Sequence, residues 1–305
     1  MDKIIFKCRC SAIGKIMTES KGKSNLELYF EAKDKLSKLN IRLKEFKNQE
    51  CKSAIDILYN KIPDVEKLIS ELELIKDKKE LSETCKQYLK EWILNHKYKR
   101  KKEFSNKFTD KGNATEQDGF QVIQDILFKG KEIFVPKNKI YYEDDYFTGT
   151  PDVSIEDFII DNKSSWNLFT FPIGEIEIPE KSYDWQGRGY MRLSDKNNFL
   201  LCYTLNDTPS ELIEDEIFRY KRNNNIIDLT DQETFDVCLN FIFTFQGVQK
   251  NAFLYGKAGI EKFIEIPKEK RLVTFQIDRD LEIEQKMIDR VIECQNWVTE
   301  NYNKF

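Results

Sequence analysis

The chain has one histidine, His96, and its seven cysteines, at 8, 10, 51, 85, 202, 238 and 294, include no C-x-x-C pair. A zinc centre draws on several Cys or His ligands at short, regular spacing, so zinc is not the expected chemistry. The same spacing lends no support to an iron–sulfur cluster. The odd count points to reduced, mostly buried thiols. No apolar run approaches the roughly 20 residues of a membrane helix. The N-terminal stretch "MDKIIFKCRC" lacks the long apolar core of a signal peptide. A cytoplasmic protein without membrane association is the expectation. The formal net charge of −4 argues against a protein that coats nucleic acid nonspecifically. It leaves a nuclease open, because there the placement of charge decides. There is no internal repeat and no low-complexity tail.

What is present is ample material for a folded core. The chain has 305 residues, of which 40% are hydrophobic and 33% charged, with 22 Phe and 13 Tyr. That length accommodates one large domain or two modest ones. Residues 1–24 read as a short strand followed by a helix beginning at "CSAIGKIM", the start of a core. Residues 25–103 are rich in Lys and Glu, with Leu26, Leu28, Phe30, Leu36, Leu39, Leu68, Leu72 and Leu74 near helical spacing. They read as two or three charged helices forming an insertion, with Pro63 breaking the run. The insertion ends in "HKYKRKKEF", where Lys97, Lys99, Arg100, Lys101 and Lys102 are interleaved with Tyr98 and Phe104. This cluster is either a contact for a nucleic-acid backbone or a solvated helix end.

Residues 104–305 read as the main body, with short helices and strands alternating. "NATEQDGFQVIQDIL" is expected to be helical, with Asn113 as N-cap, Glu116 as its capping-box partner, and Phe120, Ile123 and Leu127 on the apolar face. "KEIFVPKNKIYYEDDYFTGTPDVSIEDFIIDNKSS" reads as strands with tight turns. A helix over "KSYDWQGRGYMRL", a buried strand at "NFLLCYTL" and a helix opened by "TPSEL" follow. In that last helix Thr208 would cap, Pro209 would sit in the first turn and Glu211 would complete a capping box. A strand at "RLVTFQI" and a helix from about 279 to 302 close the chain.

The chemistry concentrates in "GTPDVSIEDFIIDNKSS", residues 149–165. Along a strand the side chains alternate, so Asp161 and Lys163 share one face and Asn162 takes the other. The "SIED" turn can return Asp152 to the side of Asp161, leaving Glu156 and Asp157 as turn residues. Two adjacent carboxylates repel unless a cation lies between them. Oxygen ligands suit a hard ion, Mg²⁺ or Mn²⁺, which can polarise a phosphate, lower the pKa of a bound water and stabilise a leaving oxygen. Lys163 can orient the attacking water or offset charge developing on phosphate.

The pattern P-D, a gap, then D-x-K resembles the PD-(D/E)xK nuclease superfamily. Glu116 stands where that family has its upstream acid. Gln186 and Tyr190 in "WQGRGYM" resemble the Q-x-x-x-Y motif of RecB-type and lambda-exonuclease-like, YqaJ-type members. "CRCSAIGKIM" resembles the S-x-I-G-x-I-M stretch, here beginning at Ser11, that opens many phage exonucleases of that group. Two departures stand out: Asp161 replaces the usual Glu of the lambda type, and "SSWNLFTFP" replaces the Cys-Pro that often follows the lysine. The resemblance implies an α/β, restriction-endonuclease-like core, a central mixed β-sheet flanked by helices, to which the charged helical insertion is added. It implies Mg²⁺-dependent DNA hydrolysis, with Mn²⁺ as substitute. Asp152, Asp161, the Asn162 carbonyl and Glu116 would form the metal shell, and Lys163 would position water. It further implies an exonuclease on double-stranded DNA ends in phage-type recombination, a single-strand annealing protein as partner, and a homo-oligomer. An endonuclease of defence or repair and a non-catalytic DNA-binding module are the alternatives.

Around this centre, several residues have two readings. Glu116 is a ligand or the partner of Asn113. Gln186 and Tyr190 contact DNA or pack their helix on the sheet. Arg188 and Arg192, four apart, face a phosphate or form a solvated pair. Gly187 and Gly189 each cost about 1 kcal/mol in a helix relative to Ala, which a close backbone approach to a strand or to DNA would offset.

Overall fold

A computed structural model of the chain describes residues 4–76, 80–102, 106–130 and 135–305. The chain divides into two compact units, residues 1–14 with 95–295 and residues 15–94 with 296–305. The segments read from the sequence place their boundaries at 24 and 103 instead, and leave the last ten residues with the main body. Phe104 and residues 131–134 lie outside the described residues.

The larger unit is built on a four-stranded sheet in the order β4 (Val153–Ile155), β5 (Phe158–Ser164), β6 (Asn198–Thr204), β7 (Leu272–Asp278). β5 and β6 run parallel, with Asp161 beside Leu201 and Lys163 beside Tyr203, whereas the outer pairs are antiparallel. The parallel pair is covered on both faces, and the middle of "FIIDNKS" and nearly all of "NFLLCYT" are buried accordingly. β7 borders the sheet and alternates instead: Phe275 and Ile277 point in, Thr274 and Gln276 out.

Three short strands form a second mixed sheet, β1 (Cys8–Arg9) parallel to β3 (Phe147–Gly149), which is antiparallel to β2 (Tyr142–Glu143). The expected mixed sheet flanked by helices is the four-stranded one, and this small sheet is additional to it. Pro151, which has no N–H to donate, lies between β3 and β4 and interrupts the ladder. Its carbonyl is taken instead by Asn138 Nδ2 at 3.0 Å.

Two helices flank the larger sheet on opposite faces. α5 (Lys107–Leu127) lies on the side of Ile160 and Asn162, and its Phe120 and Ile123 pack with Val153, Ile160 and Cys202. It starts seven residues earlier than the sequence suggests: Asn106, not Asn113, is the N-cap and accepts from Phe108 N and Thr109 N. α6 (Lys181–Ser194) covers the face of Asp161 and Lys163. Its glycines explain themselves here. A Cβ on Gly187 would lie 2.3 Å from the Phe199 ring, and one on Gly189 2.4 Å from Ile13 Cδ1. Both are close approaches to protein, one to β6 and one to the first residue of α1 (Ile13–Ile16).

A further core in this unit packs Trp166, from the segment after β5, with Ile213, Phe235, Cys238, Val248 and Tyr255 of α7 (Ser210–Asn224), α8 (Asp231–Cys238) and α9 (Phe245–Tyr255). α7 begins one residue later than expected. Pro209 occupies the N-cap without a side-chain bond, because Thr208 is held in the preceding link by its N–H to Phe241 O, 2.9 Å.

In the smaller unit, α2 (Asn25–Asn48) packs on α3 (Lys52–Glu73), burying Tyr29 and Ala32 of one and Leu72 of the other. Pro63 does not end the run; it lies exposed inside α3. The chain turns at Glu50 instead, where φ is 54°. α4 (Glu83–Tyr98) leads from this unit into the larger one, and α10 (Leu281–Asn301) returns. No described helix is long and apolar enough to cross a membrane. The cysteines are free, and all but Cys51 are buried.

Candidate active site

Strand alternation and the β4–β5 hairpin assemble the centre. Val153 pairs with Ile160 and Ile155 with Phe158, which brings Asp152 opposite Asp161. Asp152 Oδ2 accepts from the Asn162 N–H at 3.0 Å. Glu156, at φ 45°, forms the turn. Asp157 accepts from Asn197 N and Asn198 Nδ2, so neither acid reaches the centre.

Asp161 is 1% exposed. Its Oδ1 accepts from Gln186 Nε2 at 3.2 Å, and the same nitrogen lies 3.2 Å from Tyr190 Oη. Lys163 Nζ is 2.6 Å from Asp161 Oδ2, an ion-pair distance. That ammonium is the one polar partner of this buried Oδ2 among the described residues. Lys163 Nζ also stands 4.6 Å from the Tyr183 ring centroid. Burial alone would lower its pKa, but Asp161 and Asp152 outweigh burial and hold the ammonium above the ordinary lysine value. For Asp152 burial raises the pKa, the Asp161 charge adds to it, and the carboxyl is pushed up to about 7. Burial likewise raises the Tyr190 phenol, with Asp161 second. The group thus holds two buried carboxylates against one ammonium, an excess of negative charge that is costly unless further positive charge offsets it.

Behind the strand, Asn162 is held on the other face: its Oδ1 accepts from Thr204 Oγ1 at 2.9 Å, and Asn206 Nδ2 donates to that same hydroxyl at 3.0 Å. Thr115 and Ser164 hydroxyls meet at 2.8 Å, joining α5 to the end of β5.

The remaining expected residues divide. Glu116 is paired with Lys137. It lies in the interior of α5, so it caps nothing, and its charge is felt by Asp152. Arg188 Nε donates to Asp184 at 2.9 Å, one turn away, and its Nη1 is buried without a partner. Arg192 Nε donates to Asp144 at 2.8 Å, with Glu284 at 3.7 Å. Each arginine therefore has an acid of its own. Ser11 is exposed on the Cys10–Ala12 turn, which packs against α6. Lys97, Lys99, Arg100, Lys101 and Lys102 are exposed at and beyond the end of α4. Among the described residues no cluster of three or more His, Cys, Asp or Glu side chains is gathered for a metal. Two residues escaped the sequence reading. Tyr183 precedes Gln186 by one helical turn on the same face, a spacing that could have disclosed it. Lys137 carried no signal.

An acid pair with a lysine, two of the three on the central strand β5 and the third just before the edge strand β4, is an arrangement suited to phosphate chemistry. Two solved structures are similar to the chain, and the first of them bears on the fold. A phage-related exonuclease from Haemophilus somnus 129PT superposes with a TM-score of 0.59 at 21% identity, over 99% of this chain and 97% of that one. An alkaline exonuclease from Laribacter hongkongensis aligns over 73% of this chain and 83% of its own at 12% identity, with a TM-score of 0.43. The first likeness extends over nearly the whole length of both chains and is one of fold. No protein-family model matches the chain, and no curated protein matches it.

Proposed function

We propose that this chain is a metal-dependent deoxyribonuclease that hydrolyses phosphodiester bonds at double-stranded DNA ends. The observation that carries the reading is the pairing of two largely buried carboxylates, Asp152 and Asp161, with the Lys163 ammonium 2.6 Å from Asp161 Oδ2. Two carboxylates so placed suit a hard cation. Asp152 and Asp161 would hold Mg²⁺, or Mn²⁺ in its place, with the Asn162 carbonyl and Glu116 as further oxygen donors. Bound there, the ion would polarise phosphate and activate water. Lys163 keeps its proton and directs its N–H groups at the attacking water or the phosphate oxygens, so charge building on phosphorus is met as the water oxygen bonds to it and the ester P–O bond breaks. Gln186 fixes the rotamer of Asp161. Tyr183 and Tyr190 wall the site and limit water. Action on ends, within phage-type recombination beside a single-strand annealing protein and as a homo-oligomer, agrees with the sequence motifs and with the likeness of fold.

The test is digestion of linear duplex labelled at the 5′ or 3′ end, alongside a closed circular plasmid, in Mg²⁺, Mn²⁺ or EDTA. Loss of label from the linear duplex, an intact circle and silence in EDTA are expected. A cut circle would replace the end-directed reading with an endonuclease. Undiminished digestion in EDTA would overturn the metal assignment.

A further inference from the structure

Lys163 Nζ has two close neighbours, Asp161 Oδ2 at 2.6 Å and the Tyr183 ring, 4.6 Å from its centroid. A cation within about 6 Å of a ring centroid is drawn to the negative face of the ring, more strongly where water is partly excluded. The Lys163 side chain is 23% exposed. A lysine ammonium rides on a flexible stem and pivots about any single point charge. Asp161 alone therefore sets a distance, and a second contact is needed to set a direction.

The Tyr183 ring is itself firmly placed. It is carried by α6 one turn before Gln186, and the close approach of Gly187 to Phe199 fixes the depth of that helix. The ring meets Tyr203 edge to face, centroids 6.3 Å apart at 67°, and Tyr203 meets Phe275 in the same way, 5.9 Å apart at 83°. Aromatic pairs favour this arrangement at roughly 4.5–7 Å. Sheet register explains the row. Tyr203 pairs with Lys163 on one side and with Val273 on the other, so Phe275, two residues beyond Val273, is its diagonal neighbour on the same face. Tyr203 and Phe275 are buried. Three rings thus run from the edge strand β7 to the ammonium.

The two contacts of Lys163 differ in what they survive. Asp161 is also placed to hold a hard cation, and a carboxylate so engaged attracts the ammonium less. The ring contact does not depend on what else Asp161 holds. We infer that Tyr183 is a positioning residue for Lys163: its ring face carries the ammonium and keeps it directed at the scissile phosphate while Asp161 serves as a ligand. The inference rests on the hydrolytic reading of this centre and adds to it a residue that acts through Lys163 rather than on the substrate.

Two measurements test it, and the first needs no cleavage. In EDTA, with ε-¹³C-lysine incorporated, the Lys163 CεH₂ proton signal is identified by its loss in Lys163→Arg. The ring current of Tyr183 should hold that signal upfield of the exposed lysines in the parent and in Tyr183→Phe, and Tyr183→Leu should return it to their position. A Lys163 signal unmoved by Tyr183→Leu would overturn the contact. The second measurement is steady-state cleavage of linear duplex, with melting temperatures followed in parallel. Tyr183→Phe, which keeps the ring, should hold kcat within about twofold, and Tyr183→Leu should lower it about tenfold or more with KM little changed. A ring-trifluorinated phenylalanine in place of Tyr183 keeps the shape but depletes the ring face of electrons, and it should lower kcat as Tyr183→Leu does. A packing role alone follows shape and would leave that variant as active as Tyr183→Phe, which would overturn the inference even if Tyr183→Leu fails to fold. Failure of the wider reading looks different: a parent that shows the upfield signal but cleaves no DNA refutes hydrolysis at this centre, whereas a parent that cleaves with a kcat indifferent to ring fluorination refutes the role of Tyr183 alone.

Discussion

Lys111 is fully buried on α5 and should make the protein more stable as pH rises above neutrality. Its Nζ donates to Trp166 O at 3.0 Å and lies 5.3 Å from the Phe243 ring centroid. Burial nonetheless lowers its pKa, only partly offset by Asp207, to about 7 from an ordinary 10.5. In the unfolded chain this lysine stays protonated up to its ordinary value. Between pH 7 and 10.5 the unfolded state therefore binds the extra proton, and stability increases with pH across that window. Well below pH 7 the ammonium is charged in both states and its burial costs the full amount, about 4 to 5 kcal/mol at 1.36 kcal/mol per pKa unit, and at pH 7, where half of the folded chains have lost the proton, the cost is smaller by a few tenths. Lys111→Met removes that cost but leaves the Trp166 carbonyl without its donor, a loss of about 1–3 kcal/mol. The variant should therefore be more stable than the parent at pH 7 by roughly 1–3 kcal/mol, the margin narrowing and reversing toward pH 9.5. Parallel denaturant melts of both proteins at several pH values in this range measure the difference, and groups common to both cancel. A parent and variant with parallel pH profiles would refute the reasoning, because Lys111 would then be charged and solvated in the fold.

Asp152→Asn should abolish cleavage of linear duplex while raising the melting temperature in EDTA at pH 8, since it removes a buried charge facing Asp161; a variant that digests at the parent rate sinks the site. Lys163→Ala should also lose activity, but with a lower melting temperature, because it leaves Asp161 without its counter-charge. Gly187→Ala should destabilise by about 1–3 kcal/mol through overpacking against Phe199, read as a shift of the denaturant midpoint. Glu116→Gln should reduce cleavage less than Asp161→Asn, and Lys137→Ala should alter it in step with Glu116→Gln if the ion pair is what orients that acid; steady-state rates at fixed Mg²⁺ decide.

The centre was legible where chain geometry is local. Alternation along a strand places Asp161 and Lys163 together whatever surrounds them, and a four-residue turn leaves Asp152 little choice but to return beside them. The i, i+4 relation of Gln186 and Tyr190 held for the same reason: one side chain reaches Asp161, the other its neighbour. Where the reading failed, tertiary packing outweighed a local signal. Pro63 costs a helix about 3 kcal/mol. Yet Leu58, Val65 and Leu72, at seven-residue intervals on either side of it, are all buried, and that continuous face carries α3 through the proline. Asn113 looked like a cap because Glu116 follows it by three residues, but Lys111 and Thr115 are anchored to Trp166 and Ser164, which holds the helix together through this stretch. The glycines of α6 were open to two explanations, approach to DNA or to protein. Phe199 and Ile13 occupy the space a Cβ would need, so these glycines set how deeply α6 sinks onto β6, and through Gln186 that depth sets where Asp161 is held.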